Sequence, residues 1–103
     1  WDTAVGGHVI YGETIHQALL REVQEEIGIT DFLPVHVETY RYDSTRESEM
    51  VHVYKTIYDG PFRWNDGEVM DGRFWSLFEL RQALGQGILT PNLEMELQRF
   101  GFI

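Results

Sequence analysis

Apolar residues recur at every fourth position from Ile15 through Leu19 and Val23 to Ile27, the spacing of one face of a helix. Thr14 followed by Gln17 fits a capping box ahead of that face, and Gly28 is a natural stop behind it. Before the helix, "WDTAVGGHVIY" at 1–11 has the rhythm of short extended pieces around a Gly6-Gly7 bend. After it, "LPVHVETYRY" at 33–42 and "MVHVYKTIY" at 50–58 favour strands through their β-branched and aromatic content. The polar "DSTRESE" between them predicts an antiparallel pair joined by an exposed loop.

Further on, "DGPFRWNDGE" at 59–68 is rich in turn residues and "GRFWSL" at 72–77 predicts a short strand. "LFELRQALGQG" reads as a short helix closed by glycine, and "NLEMELQRF", preceded by Pro91, as a last helix. The order is strand, helix, three strands, then two helices. It predicts an α/β domain over residues 1–103, with a mixed sheet covered by helices. The thin sheet, and an opening on Trp1 rather than methionine, lead us to expect a missing N-terminal portion.

Composition narrows the class. With 43% apolar and 14% aromatic residues in 103, the chain can build one core. A net charge of -9 disfavours an exposed phosphate backbone, so no polymeric nucleic acid is expected as a partner; a small anion held through divalent cations stays open. The absence of cysteine excludes thiolate catalysis and cysteine-based zinc sites within this stretch. No apolar run approaches the roughly 18 residues needed to cross a bilayer, so no membrane partner and a cytoplasmic location are expected.

The charge pattern raises a physical question. With about 100° per residue and Ile15 at zero, the apolar stripe runs to about 120°, and Glu22, Glu25 and Glu26 border it. Glu22 and Glu26, at i,i+4, repel by roughly 0.2–0.5 kcal/mol when exposed, and by more as water is removed. All three lie at the negative end of the helix dipole. Arg21 offsets Glu25 at i+4, but no basic residue is spaced to pair Glu22 with Glu26. A solvated acidic face is the plain alternative; an external cation answers repulsion, dipole and burial together. Carboxylate oxygens suit Mg²⁺, with Mn²⁺ as a second choice, and leave positions for water and a diphosphate.

The extended pattern favours the cation. Gly7, Glu13, Arg21, Glu22, Val23, Glu25, Glu26, Gly28 and Ile29 stand at the spacing of the Nudix box, which the stretch 7–29 resembles at every specified position. The resemblance implies a Nudix-type α/β/α sandwich that hydrolyses a nucleoside diphosphate linked to another moiety, or a related pyrophosphate. By the family's pattern Glu22, Glu25 and Glu26 supply metal ligands, the Gly7 carbonyl can join them, and Glu13 braces the loop with Arg21. Glu22, Glu25 and Arg21 are the catalytic candidates in the box. Glu68 is the candidate for the additional acid, a fourth ligand or general base, that Nudix hydrolases place beyond it.

The opening "WDTAVGGHVIYGE" also resembles the branch that includes isopentenyl-diphosphate isomerase and its hydrolase relatives. That isomerase uses a cysteine and a glutamate, and no cysteine stands near "GGH" here, so hydrolysis is the main expectation. Isomerisation, or a non-catalytic nucleotide-binding role, are the alternatives. His8 can face a diphosphate or bond within its loop. His16 is expected on an exposed helix face, and His36 and His52 as ordinary strand residues. Asp66 and Asp71 are weaker acid candidates than Glu68. Trp64, Phe74 and Trp75 are candidates to stack on a base. A homodimer through an incomplete sheet or an aromatic surface is a further expectation.

Overall fold

The computed structural model describes residues 1–46, 48–63 and 72–103. They form two compact units, one of Trp1–Thr30 with Phe62–Ile103 and one of Asp31–Pro61.

In the first unit, α1 spans Ile15–Ile27. Its start is fixed by a reciprocal bond pair: the Thr14 hydroxyl accepts from the Gln17 N–H at 3.1 Å and the Gln17 side chain accepts from the Thr14 N–H at 2.9 Å. Its end is fixed by Gly28 at φ 70°, whose N–H donates to the Gln24 carbonyl. The following chain crosses close over that end, with the Arg63 N–H donating to the Ile27 carbonyl at 2.9 Å. A β-carbon on Gly28 would stand 2.8 Å from that of Arg63. Left-handed strain and this contact act together, so Gly28→Ala is expected to destabilise the chain by about 1–2 kcal/mol. Urea denaturation checks it, and an unchanged midpoint would count against this account.

The buried face of α1 differs from the one its period predicts. Ile15 is exposed, whereas Ala18, Val23, Glu26 and Ile27 are buried. Glu26 therefore lies inside the buried arc and not on its border. Among the described residues, Ile29, Ala83 and Leu89 complete the buried apolar set of this unit.

Two short helices follow in the same unit. α2, Leu77–Ala83, opens on a capping box between Ser76 and Glu79; α3, Pro91–Arg99, opens on Thr90 with proline in its first turn. Neither residues 1–11 nor 72–76 form a strand. The Trp1 nitrogen donates to the Ile88 carbonyl, and the Thr90 N–H donates to the Trp1 carbonyl, both at 2.8 Å. The opening segment thus ties to the loop before α3. At 73–75 the Arg73 guanidinium stacks 3.6 Å from the Trp75 ring centre and pairs with Glu79 at 2.9 Å, while Trp1 meets the Trp75 edge at 5.3 Å. Ring and ion contacts hold this segment instead of a ladder.

The second unit is a hairpin of β1, Val35–Asp43, and β2, Ser48–Lys55, paired antiparallel as the sequence predicts. The expected mixed sheet is, among the described residues, this two-stranded antiparallel one. Register shifts between His36 and Glu38, so Val37 is an extra residue on β1. Among the described residues of the hairpin, Tyr40 is the buried one.

Candidate active site

The site is built on α1 and the loop before it, and Arg21 is its organising residue. Arg21 Nε donates to Glu13 Oε2 at 2.9 Å and Nη2 to Glu13 Oε1 at 2.9 Å, a two-pronged guanidinium–carboxylate pair. Nη2 also donates to the His8 carbonyl at 3.0 Å. Nη1 donates to Glu22 Oε1 at 2.8 Å and to Glu25 Oε2 at 3.2 Å. One side chain therefore joins the loop at both His8 and Glu13 to two acids of the helix. Glu13 itself accepts from the Ile10 N–H at 2.9 Å, which closes the turn leading into Thr14.

This geometry corrects one expectation. Glu22 has a counter-charge, supplied by its sequence neighbour Arg21. Adjacent helical residues do not face each other, but the long guanidinium is drawn towards Glu13 and passes the Glu22 carboxylate. The contact of Arg21 with Glu25 forms at the i,i+4 spacing, as expected.

The same contacts set the proton affinities. Hydrogen bonding to Arg21, followed by the Ile10 N–H, lowers the Glu13 pKa from 4.5 to about 2. Glu13, and after it Glu22, push the Arg21 pKa above its ordinary range. A depressed carboxylate stabilises the fold above its unfolded pKa and loses that contribution as pH falls through its folded one. Glu13→Gln is therefore expected to melt lower than the parent at pH 6, with the gap closing between pH 4.5 and pH 2. A gap that stays constant in melts across that range would contradict it.

Gly7 meets the site from the loop side. A β-carbon there would stand 2.3 Å from Glu22 Cδ and 2.6 Å from each carboxylate oxygen. The bare backbone of Gly7 admits the Glu22 carboxylate into the space a side chain would fill. Glu26 is 9% exposed, with its Oε2 atom sealed from solvent, and Glu25 is the most open of the three acids.

The donors suit a hard cation. They are carboxylate oxygens, with the backbone carbonyl of Gly7 in the adjoining loop. Among the described residues, no three His, Cys, Asp or Glu side chains gather as a metal-holding group. Mg²⁺ does not demand such a cage, because it is commonly held by one or two carboxylates with water and substrate phosphate completing its shell. Glu22 and Glu25, bridged through Arg21 Nη1, meet that requirement in kind.

Of the other candidates, Glu68, Trp64, Asp66 and Asp71 lie outside the described residues. Trp75 has one face covered by Arg73, and Phe74 stands 5.4 Å from Phe62. Trp1, Trp75, Phe78 and Ile88 line a wide-mouthed cavity of about 380 Å³ that no residue of the box lines. Two participants went unforeseen, the His8 carbonyl and the Arg63 N–H. Both act through the backbone, which side-chain identity does not reveal.

The NUDIX domain family model matches residues 1–93. The chain belongs to the Nudix family. Within it, the chain is 31% identical over 74 residues to a Nudix hydrolase of Pseudomonas aeruginosa, covering 72% of this chain and 44% of that protein. It is 33% identical over 85 residues to an isopentenyl-diphosphate Delta-isomerase of Salmonella arizonae, covering 77% of this chain and 46% of that one. This Nudix chain spans less than half the length of either relative. None of its described helices is long and apolar enough to cross a membrane.

Proposed function

We propose that this Nudix protein is a pyrophosphohydrolase dependent on Mg²⁺ or Mn²⁺, acting on a nucleoside diphosphate linked to another moiety or on a related pyrophosphate. The observation that carries this reading is the Glu22 carboxylate seated against the bare backbone of Gly7 and held there by Arg21. Glu22, Glu25 and Glu26, with the Gly7 carbonyl, would hold the ion, the three side chains gathering only once it is bound. When bound, the ion neutralises phosphate charge and orients the phosphorus.

The chain's own residues do the rest. Arg21 positions Glu22 and Glu25 and ties them to the loop at Glu13 and His8. Glu25, the most exposed of the three helix acids, meets Arg21 through Oε2 and would accept a proton from solvent water through Oε1 as the water oxygen adds to phosphorus. The bridging P–O bond then breaks, leaving two phosphate-bearing products. Glu68 is the candidate for an additional acid in this scheme.

A hydrolysis screen over nucleotide sugars, dinucleotides and nucleoside triphosphates tests the proposal. Turnover is expected with Mg²⁺ or Mn²⁺ and is expected to vanish with chelator. Saturable nucleotide binding without turnover would replace it with a non-catalytic role.

The isomerase relative supports a second reading, double-bond migration in an isopentenyl diphosphate. The lack of cysteine near Gly7 weighs against it. Allylic product from that substrate, without phosphate release, would establish it over hydrolysis.

A further inference from the structure

The hairpin carries a polar cluster that hydrolysis does not use. His36 Nε2 lies 2.8 Å from Thr39 Oγ1, and His52 Nδ1 lies 3.0 Å from the same oxygen. In an unbroken strand, positions 36 and 39 would project to opposite faces. The extra residue Val37 brings them to one face, where Thr39 stands opposite His52 and His36 opposite Tyr54. The Tyr54 ring meets the His36 ring edge-on at 5.3 Å and limits its rotation. Arg41, the next basic residue along β1, has its charge answered by Asp43 at 2.9 Å.

We propose that His36 and His52 form a transition-metal site on this face of the hairpin, bridged by the Thr39 hydroxyl when the metal is absent. Both ring nitrogens meet the Thr39 hydroxyl oxygen and so lie within about 6 Å of each other, and an ion bridging them takes the place of that oxygen as the Thr39 side chain rotates aside. An inward turn of about 1 Å by each brings them to the ~2.0–2.1 Å of a shared Zn–N bond. Imidazole selects borderline ions such as Zn²⁺, Ni²⁺ and Cu²⁺ over Mg²⁺, so this site and the carboxylate helix take different metals. Water completes the shell. The chain's charge of -9 favours cation entry. No HxH or HExxH spacing announces the site, because the pair forms across the hairpin and through the bulge.

Calorimetric titration of the metal-stripped chain with Zn²⁺, in millimolar Mg²⁺ to occupy oxygen sites, tests it. We expect one equivalent bound at micromolar affinity, with His36→Gln and His52→Gln each weakening it about tenfold or more. His8→Gln and His16→Gln should leave it unchanged. Cu²⁺ at substoichiometric level should give nitrogen hyperfine structure from two imidazoles. In the parent chain it should broaden the magnetic-resonance signals of His36, Thr39 and His52 first, a readout independent of how any variant folds. Affinity unchanged by both hairpin substitutions, broadening centred on another residue, or binding no tighter than millimolar would overturn the proposal.

Discussion

Glu26→Gln is expected to lower phosphoanhydride turnover by about 100-fold or more while the melting temperature holds or rises. The expectation joins two facts about one residue. Glu26 stands in the buried arc of α1 beside Ala18, Val23 and Ile27, where a charge is costly. Glutamine has nearly the same shape and keeps hydrogen-bonding capacity, so a Glu26 that serves only the fold loses little by the exchange. A Glu26 that holds a cation loses the charge that does the work. Kinetics at saturating Mg²⁺, alongside a thermal melt, separate these roles. Turnover within about threefold of the parent on a verified substrate would remove Glu26 from the site.

Gly7→Ala should have the second-largest effect and comes from the opposite side of the site. The new β-carbon would collide with the Glu22 carboxylate, the far end of a flexible side chain, so that side chain moves and the backbone stays. Little stability is lost. Glu22 is nevertheless displaced from its 2.8 Å bond to Arg21, and an ångström-scale error in a catalytic group lowers the rate by about 10- to 100-fold. The Mg²⁺ concentration for half-maximal rate should rise with it. Parent-like kinetics in a folded Gly7→Ala chain would show that the close approach has no catalytic role. Gly28→Ala provides the contrast, since its collision is with a neighbouring β-carbon and its own φ is left-handed.

What was legible in the sequence was local. Thr14, Gln17 and Gly28 set the bounds of α1 through bonds reaching four residues or fewer, so their identities sufficed. The hairpin was legible because alternation and a polar turn are also short-range signals. The Nudix spacing pairs Arg21 with Glu13, and the two-pronged bond between them has that pairing. Burial of Glu26 was not legible, because periodicity gives the direction of a face and not what packs on it. Residues 1–11 and 72–76 carry strand-like patterns, but a strand exists only with a partner ladder, and other contacts took those backbones and rings. Helix spacing alone pairs Arg21 with Glu25, and its reach to Glu22 follows from the pull of Glu13, a tertiary effect. The histidine pair depends on a single extra residue in β1, which alternation alone does not specify.

The double capping of α1 makes it a gauge of fixed length. One residue inserted or deleted between Thr14 and Gly28 would turn everything beyond it by about 100° and shift it by about 1.5 Å. Before Arg21, that change would swing the guanidinium away from Glu13 and His8; between Arg21 and Glu25, it would rotate Glu25 out of reach. Substitution on the solvent side of this helix is tolerable, but a change in its residue count is not. A change of length at residues 44–46, beyond the end of β1, would leave the caps and the carboxylate spacing of α1 untouched.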